Sequence, residues 1–336
     1  MRTCAIDIHH HYVPNSLLEE AKKNGKHLGV EFVEKDGQKS LSFAGGPPFA
    51  LHPNLPAIDE RLKMMGDSKL AVAALEAHTA TLGYRLTGEQ GENWCTVYNE
   101  GIRDLIKRYP DRFVGMASVP LQDPVRAAKV LEHAVVNLKL HGGYIGTNVN
   151  GTYYNTTDFD PFWAKAQELD VLVVIHPEDV AGGELMNPYG LKLICGNPAD
   201  SALCFGFMTY SGLFDRFPNL KLCILHGGGF FPYHLGRFDR GWEVRAGLRA
   251  AKAKMAPSAY LKNIYYDDMV YRLDTIKYLI GLGGVDHIMV GTDYPFDLGD
   301  WDAAKKIEQL EIPEADQLLM LEGNAKRLLK LDKGRG

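Results

Sequence analysis

The chain is predicted to be an α/β protein of the (β/α)8 TIM-barrel type, with a small hairpin and loop insertion after its first strand. Three observations predict this. Eight short apolar runs alternate with amphipathic stretches along 336 residues. Runs apolar throughout suit a parallel sheet buried on both faces, and eight is the number that closes such a barrel. Several of the runs also stop on a histidine or an aspartate, and a barrel carries its chemistry at the carboxyl ends of its strands. Undivided barrels of this length are common, so one domain over residues 1–336 is expected, with the insertion at about 27–56.

The first run begins at Cys4 and delivers Asp7-Ile8-His9-His10-His11 before Tyr12-Val13-Pro14 ends it. Side chains alternate along a strand, so His9 and His11 share one face while Ile8 and His10 take the other. Two imidazoles on one face form half of a site for zinc or a first-row neighbour. Surface histidines are the competing explanation, and the buried character of the run counts against it. Residues 16–23 read as a helix stopped by Asn24-Gly25. Residues 29–43 alternate as a hairpin turning at Lys35-Asp36-Gly37, and 45–56 are rich in Gly and Pro, a place for a substrate lid.

The remaining strands are expected at 70–75, 113–119, 143–149, 171–176, 220–226, 263–267 and 287–292. Helices are expected between and after them at 92–109, 124–138, 160–169, 199–217, 237–251 and 272–282. The fifth strand delivers His176 before Pro177, the sixth His226 before Gly227-Gly228-Gly229, and the eighth Asp293 before Tyr294-Pro295. One such histidine alone is as well explained as a satisfied core residue. Recurrence at four strand ends, counting the first, points to a site.

Composition excludes several classes. Lys plus Arg is 37 against 42 for Asp plus Glu, a net charge of -5 with both signs mixed, which leaves no basic stripe for nucleic acid. The five cysteines are scattered and lack a Cys-X-X-Cys pair, so they read as reduced, mostly core residues of a cytoplasmic protein. No apolar stretch approaches the roughly 18 residues of a membrane span, and none precedes the first strand as a secretory segment would.

Together, Asp7 to His11, His176-Pro177-Glu178-Asp179, His226-Gly227-Gly228-Gly229, Leu235-Gly236-Arg237, Gly291 to Phe296 and Gly323-Asn324-Ala325 resemble the amidohydrolase superfamily over essentially the whole chain. The likeness is to the branch typified by 2-amino-3-carboxymuconate-6-semialdehyde decarboxylase, which also holds isoorotate, γ-resorcylate and 5-carboxyvanillate decarboxylases and some hydrolases and hydratases. The resemblance implies one divalent metal, Zn2+ in the first place with Mn2+ accepted by the same donors, on His9, His11, His176 and Asp293. It makes His226 the acid and base beside that metal, with Asp293 counted in the catalytic set. Binuclear relatives bridge two metals with a carboxylated lysine ending the fourth strand. Here that strand has no lysine, and Lys139 precedes it.

The resemblance further implies a homodimer in which Arg237 reaches the neighbour's site to hold a carboxylate. The guanidinium fork suits that task, and a surface salt bridge to Asp239 or Glu243 is the alternative. The related enzymes carry arginine in the insertion, whereas residues 45–53 here read Gly-Gly-Pro-Pro-Phe-Ala-Leu-His-Pro, where His52 is either a substitute polar contact or, the more ordinary explanation, an exposed loop histidine. Phe296, Tyr294 and Trp301 can wall a flat substrate or pack in the core. Asp267-Asp268 can cap a helix or enter the pocket, and Glu178 and Asp179 can orient the ligands. The expected function is non-oxidative decarboxylation of a small aromatic or unsaturated carboxylate. A metal-dependent hydrolase or hydratase of a small cyclic or aromatic compound stands second, and a non-catalytic barrel third.

Overall fold

The computed structural model describes residues 5–249 and 251–331; Cys4, and residue 250 of the expected 237–251 helix, lie outside them. Eleven strands are present among the described residues: β1 (Ala5–His11), β2 (Val30–Lys35), β3 (Gln38–Phe43), β4 (Phe49–Ala50), β5 (Leu70–Glu76), β6 (Phe113–Ser118), β7 (Gly142–Gly146), β8 (Leu172–His176), β9 (Lys221–Ile224), β10 (Ile264–Asp267) and β11 (Ile288–Met289). Eight of them form one sheet in the order β1-β5-β6-β7-β8-β9-β10-β11, and every strand pairing in it is parallel. Past β11 the backbone closes the ring on β1: Ile8 N–H donates to Val290 O (2.9 Å), Asp293 N–H to His9 O (2.8 Å) and His11 N–H to Tyr294 O (2.9 Å). The result is the expected barrel.

Burial explains why these runs became strands. All five residues of β8, Leu-Val-Val-Ile-His, are buried, which only a sheet covered on both faces can offer. The intervening helices start where the sequence caps them. Thr87 and Gln90 form a reciprocal capping box, so the helix Gly88–Arg108 begins ahead of the expected residue 92. Asp123 accepts from Arg126 N ahead of Pro124 in the first turn of Pro124–Val136.

The insertion is a three-stranded antiparallel sheet, β2-β3-β4. Asp36 (φ 51°) and Gly37 (φ 80°) make the two-residue turn that the sequence placed there.

Elsewhere the boundaries differ from expectation. The first helix, Asn15–Leu28, passes through Asn24-Gly25 with a kink at Asn24 and ends at Gly29 (φ 69°). Gly25 serves close approach instead of termination, since a Cβ there would stand 2.3 Å from Val30 O. The expected 199–217 helix divides at Gly212 (φ 70°) into Asn197–Tyr210 and Leu213–Arg216. The helix expected to begin at Arg237 begins at Phe231, with Pro232 in its first turn, and ends at Val244. Arg237 is therefore a mid-helix residue. Cys95, Cys204 and Cys223 are free and buried as expected, while Cys195 is free and exposed.

Candidate metal and proton-transfer site

Three strand ends, those of β1, β8 and β11, contribute to one point at the barrel mouth. His9, His11, His176 and Asp293 are buried, and one donor atom from each lies within 4.8 Å of the others. Donors on opposite sides of one ion with bonds of about 2.1 Å stand about 4.2 Å apart, so small ring movements would seat a cation. Among the described residues no other group of His, Cys, Asp and Glu gathers in this way.

The outer nitrogens fix the tautomers. His9 Nδ1–H donates to Asp267 Oδ2 (2.8 Å), His11 Nδ1–H to Ala77 O (3.0 Å) and His176 Nδ1–H to Pro177 O (2.6 Å). None of these acceptors has a hydrogen to give, so each Nδ1 carries the proton and each Nε2 faces the cluster. His9 Nε2 is buried and makes no hydrogen bond. Asp293 Oδ1 stands 2.9 Å from His11 Nε2 and 3.3 Å from His9 Nε2. A carboxylate shared by two imidazoles in this way calls for a proton or a cation between them, and this donor set fits a divalent metal.

Burial acts first on every group here, and the neighbours decide the outcome. It pushes Asp293 up, but the charges of His9 and His11 hold that carboxyl well below its ordinary range. It pushes His9 down, and Asp293 and Asp267 outweigh it, raising His9 well above the ordinary histidine value. His176 is lowered by burial and by His226. Burial and the nearby His9 bring His226 down to about 4.

His226 lies beyond β9, in a tight turn at φ 57°, and Asp293 follows β11 at φ 55°. Both are of residue types that enter the left-handed region more readily than most. The His226 turn is pinned from below, because Gly227 N–H donates to Asp267 Oδ1 (2.7 Å). One aspartate thus sets both the His9 ring and the His226 backbone. His226 Nε2 stands 4.0 Å from Asp293 Oδ2, and its ring centroid lies 4.8 Å from that of His176.

Above the cluster opens a cleft of 660 Å3, whose lining includes His11, His176, His226, Asp293, Phe296 and Tyr271. Phe296 packs 5.4 Å from the His11 ring and can wall a flat molecule. Other sequence-predicted contacts lie elsewhere. His52 stands behind Phe296, ring centroids 6.0 Å apart, and does not line the cleft. Tyr294 is buried between the His10 ring and the Arg61 guanidinium, and Trp301 packs on Tyr294. Both are absent from the cleft lining, so their part is packing. Arg237 is exposed on the outer face and lines a separate groove with Leu203, Phe207 and Phe230. No ion pair joins it to Asp239 or Glu243 among the described residues, because Glu243 pairs with Arg240 and Asp239 accepts from Ser258 N. Lys139 precedes β7, away from the cluster, as expected.

Sequence reasoning missed His78 and Tyr271, both in the cleft lining. His78 obeys the strand-end rule that found the others, but lies two residues past Glu76, beyond the apolar run. Glu76 was missed as well. It is fully buried with neither carboxylate oxygen bonded, and burial raises it well above the carboxylate range.

The amidohydrolase family profile matches residues 6–331. The 2-amino-3-carboxymuconate-6-semialdehyde decarboxylase of Dictyostelium discoideum is 30% identical over 99% of this chain and 94% of its own. In fold, the chain matches a 5-carboxyvanillate decarboxylase from Sphingomonas paucimobilis with a TM-score of 0.83 at 23% identity, over 98% of this chain and 99% of the other. It also matches a dihydroxybenzoic acid decarboxylase from Polaromonas sp. JS666, solved with manganese and 2-nitroresorcinol, with a TM-score of 0.80 at 24% identity over 99% and 98% of the two chains.

Proposed function

The chain belongs to the amidohydrolase family, and from that premise we propose that it is a metal-dependent, non-oxidative decarboxylase of a small aromatic or unsaturated carboxylate. The observation that carries this reading is the convergence of His9, His11, His176 and Asp293 at the floor of the cleft, with His226 beside them. The four side chains are assigned one divalent cation. Zn2+ suits three imidazoles and a carboxylate, and Mn2+, present in the Polaromonas enzyme, is accepted by the same donors. Bound there, the cation would be a Lewis acid drawing electron density from the substrate's oxygens.

The remaining work belongs to the chain's own groups. At neutral pH the His226 ring is uncharged, so it can relay a proton taken up from bulk solvent to the substrate and return to its neutral form. In decarboxylation the bond from the substrate carbon to its carboxylate breaks. The electron pair stays on that carbon and captures the proton, and CO2 leaves. Asp293 sits between the donor histidines and His226, where its negative charge steadies the ring while it carries the proton. Phe296 orients a flat substrate against the His11 side.

Assembly is part of the proposal. The protein is read as a cytoplasmic homodimer of one-barrel chains in which each site borrows the partner's Arg237. Two observations support it: Arg237 stands free in an outer groove with exposed Leu203 and Phe207, and Phe230 lines both that groove and the cleft. A copy seated on the groove would therefore lie next to the active site.

The test is product analysis with metal-loaded protein on a panel of arene carboxylates. CO2 release with one metal ion per chain is expected. Water addition, or ester or lactone hydrolysis, without CO2 release would replace the decarboxylase by the hydratase or hydrolase reading.

A further inference from the structure

A second cavity of 270 Å3 adjoins the cleft, bounded on one side by the insertion at Gly46, Pro47, Pro48 and Phe49. The two cavities share a wall made of Thr79, Glu178 and Lys192. Lys192 is half-buried, is the one lysine or arginine in the lining of the cleft, and faces both spaces. Across the second cavity lies Arg85, whose Nη1 rests 3.0 Å from where a Cβ on Gly46 would stand. Among the described residues neither cation has a carboxylate within ion-pair distance. A lysine on the wall between two cavities, with no direct ion pair and only the through-space attraction of Glu178 beside it, has ammonium hydrogens to offer an anion that arrives from outside the chain.

We propose that this side chamber is a substrate subsite, taking a second anionic substituent of the molecule whose first carboxylate enters the cleft, with Lys192 as the gatepost cation and Arg85 at the far side. The inference rests on the decarboxylase reading of the cleft and narrows it: the substrate is a dianion, a dicarboxylate in the simplest case. Glu178 does not oppose this. Its carboxyl is engaged as acceptor by the Thr79 hydroxyl on the same wall. Asp179, also on the chamber wall, is exposed, so its charge is screened by solvent. Gly46 contributes by having no side chain, which leaves the Arg85 head free to lie across the insertion.

Binding measured without turnover tests the subsite. Calorimetric titration of the metal-loaded protein with benzoate, phthalate, isophthalate and terephthalate should give at least one dicarboxylate bound about tenfold or more tighter than benzoate. Lys192→Met should bring that ratio close to one with the metal content unchanged, Lys192→Arg should preserve it, and Arg85→Met should reduce it. Wild-type protein that gains nothing from a second carboxylate in any position, or binds none of the four, overturns the proposal. So does a preference that survives Lys192→Met. A Lys192-dependent preference in a protein that releases CO2 from nothing would keep the subsite and remove the decarboxylase, so the two readings fail separately.

Discussion

His9 and His11 were legible because side-chain parity on a strand is geometric, and His176 and Asp293 because the strands before them are apolar to the last residue. His226 is separable from these four by its neighbours: it bonds no outer acceptor through Nδ1 and stands off Asp293 at 4.0 Å. His226→Asn should therefore leave one metal ion per chain and remove nearly all turnover, a loss of about 10²-fold or more. Metal analysis and single-turnover CO2 release check it, and metal lost along with activity would make His226 a ligand. On the other face of β1, His10 is fully buried against Tyr294, with its Nδ1 2.7 Å from Asp7 Oδ2, and burial lowers it to about 4. The unfolded chain thus binds that proton more readily than the folded one between pH 6.5 and 4. Stability is lost as pH falls through this window, by about 3 kcal/mol at most from this residue. Urea denaturation of metal-free protein at pH 7 and 4.5 should show a shallower decline for His10→Asn than for wild type. What parity could not reveal was partnership. Asp267 at the end of β10 was visible as a polar residue, but its double hold on His9 and Gly227 joins positions distant in sequence.

At the level of elements, alternation of apolar runs located every barrel strand, and the Asp36-Gly37 turn located the hairpin. Boundaries were less legible, since they depend on contacts. Gly25 carries the sequence signature of a stop, but the structure uses its missing Cβ to let Val30 O approach. Gly25→Ala would force helix and insertion apart and should cost about 1–3 kcal/mol. A denaturant midpoint equal to wild type would show that the approach is soft. Likewise Arg237 looked like a helix start because the Gly-rich tract before it reads as loop, whereas Pro232 starts the helix one and a half turns earlier. That shift matters, because it places Arg237 on the outer groove and away from its own chain's cleft.

For the whole molecule, that displacement makes a mixing experiment decisive. Arg237→Ala should weaken substrate binding well over tenfold, in line with the roughly 2–5 kcal/mol lost when one member of a desolvated charged pair is truncated. Arg237→Ala and His226→Asn chains, inactive apart, should regain activity when mixed, because one site of the heterodimer then combines an intact His226 with a borrowed Arg237. Mixed dimers as inactive as their parents would return Arg237 to its own chain or to the surface. The barrel's closure carries a further consequence. His11 on the first strand meets Asp293 after the last, 282 positions apart. A chain still emerging from the ribosome holds two donors from its first moments and lacks the fourth until nearly all of it has been made. On the proposed ligand set, a chain cut short before the final strand lacks both Asp293 and the backbone closure on β1, and should hold a cation less tightly than the finished barrel.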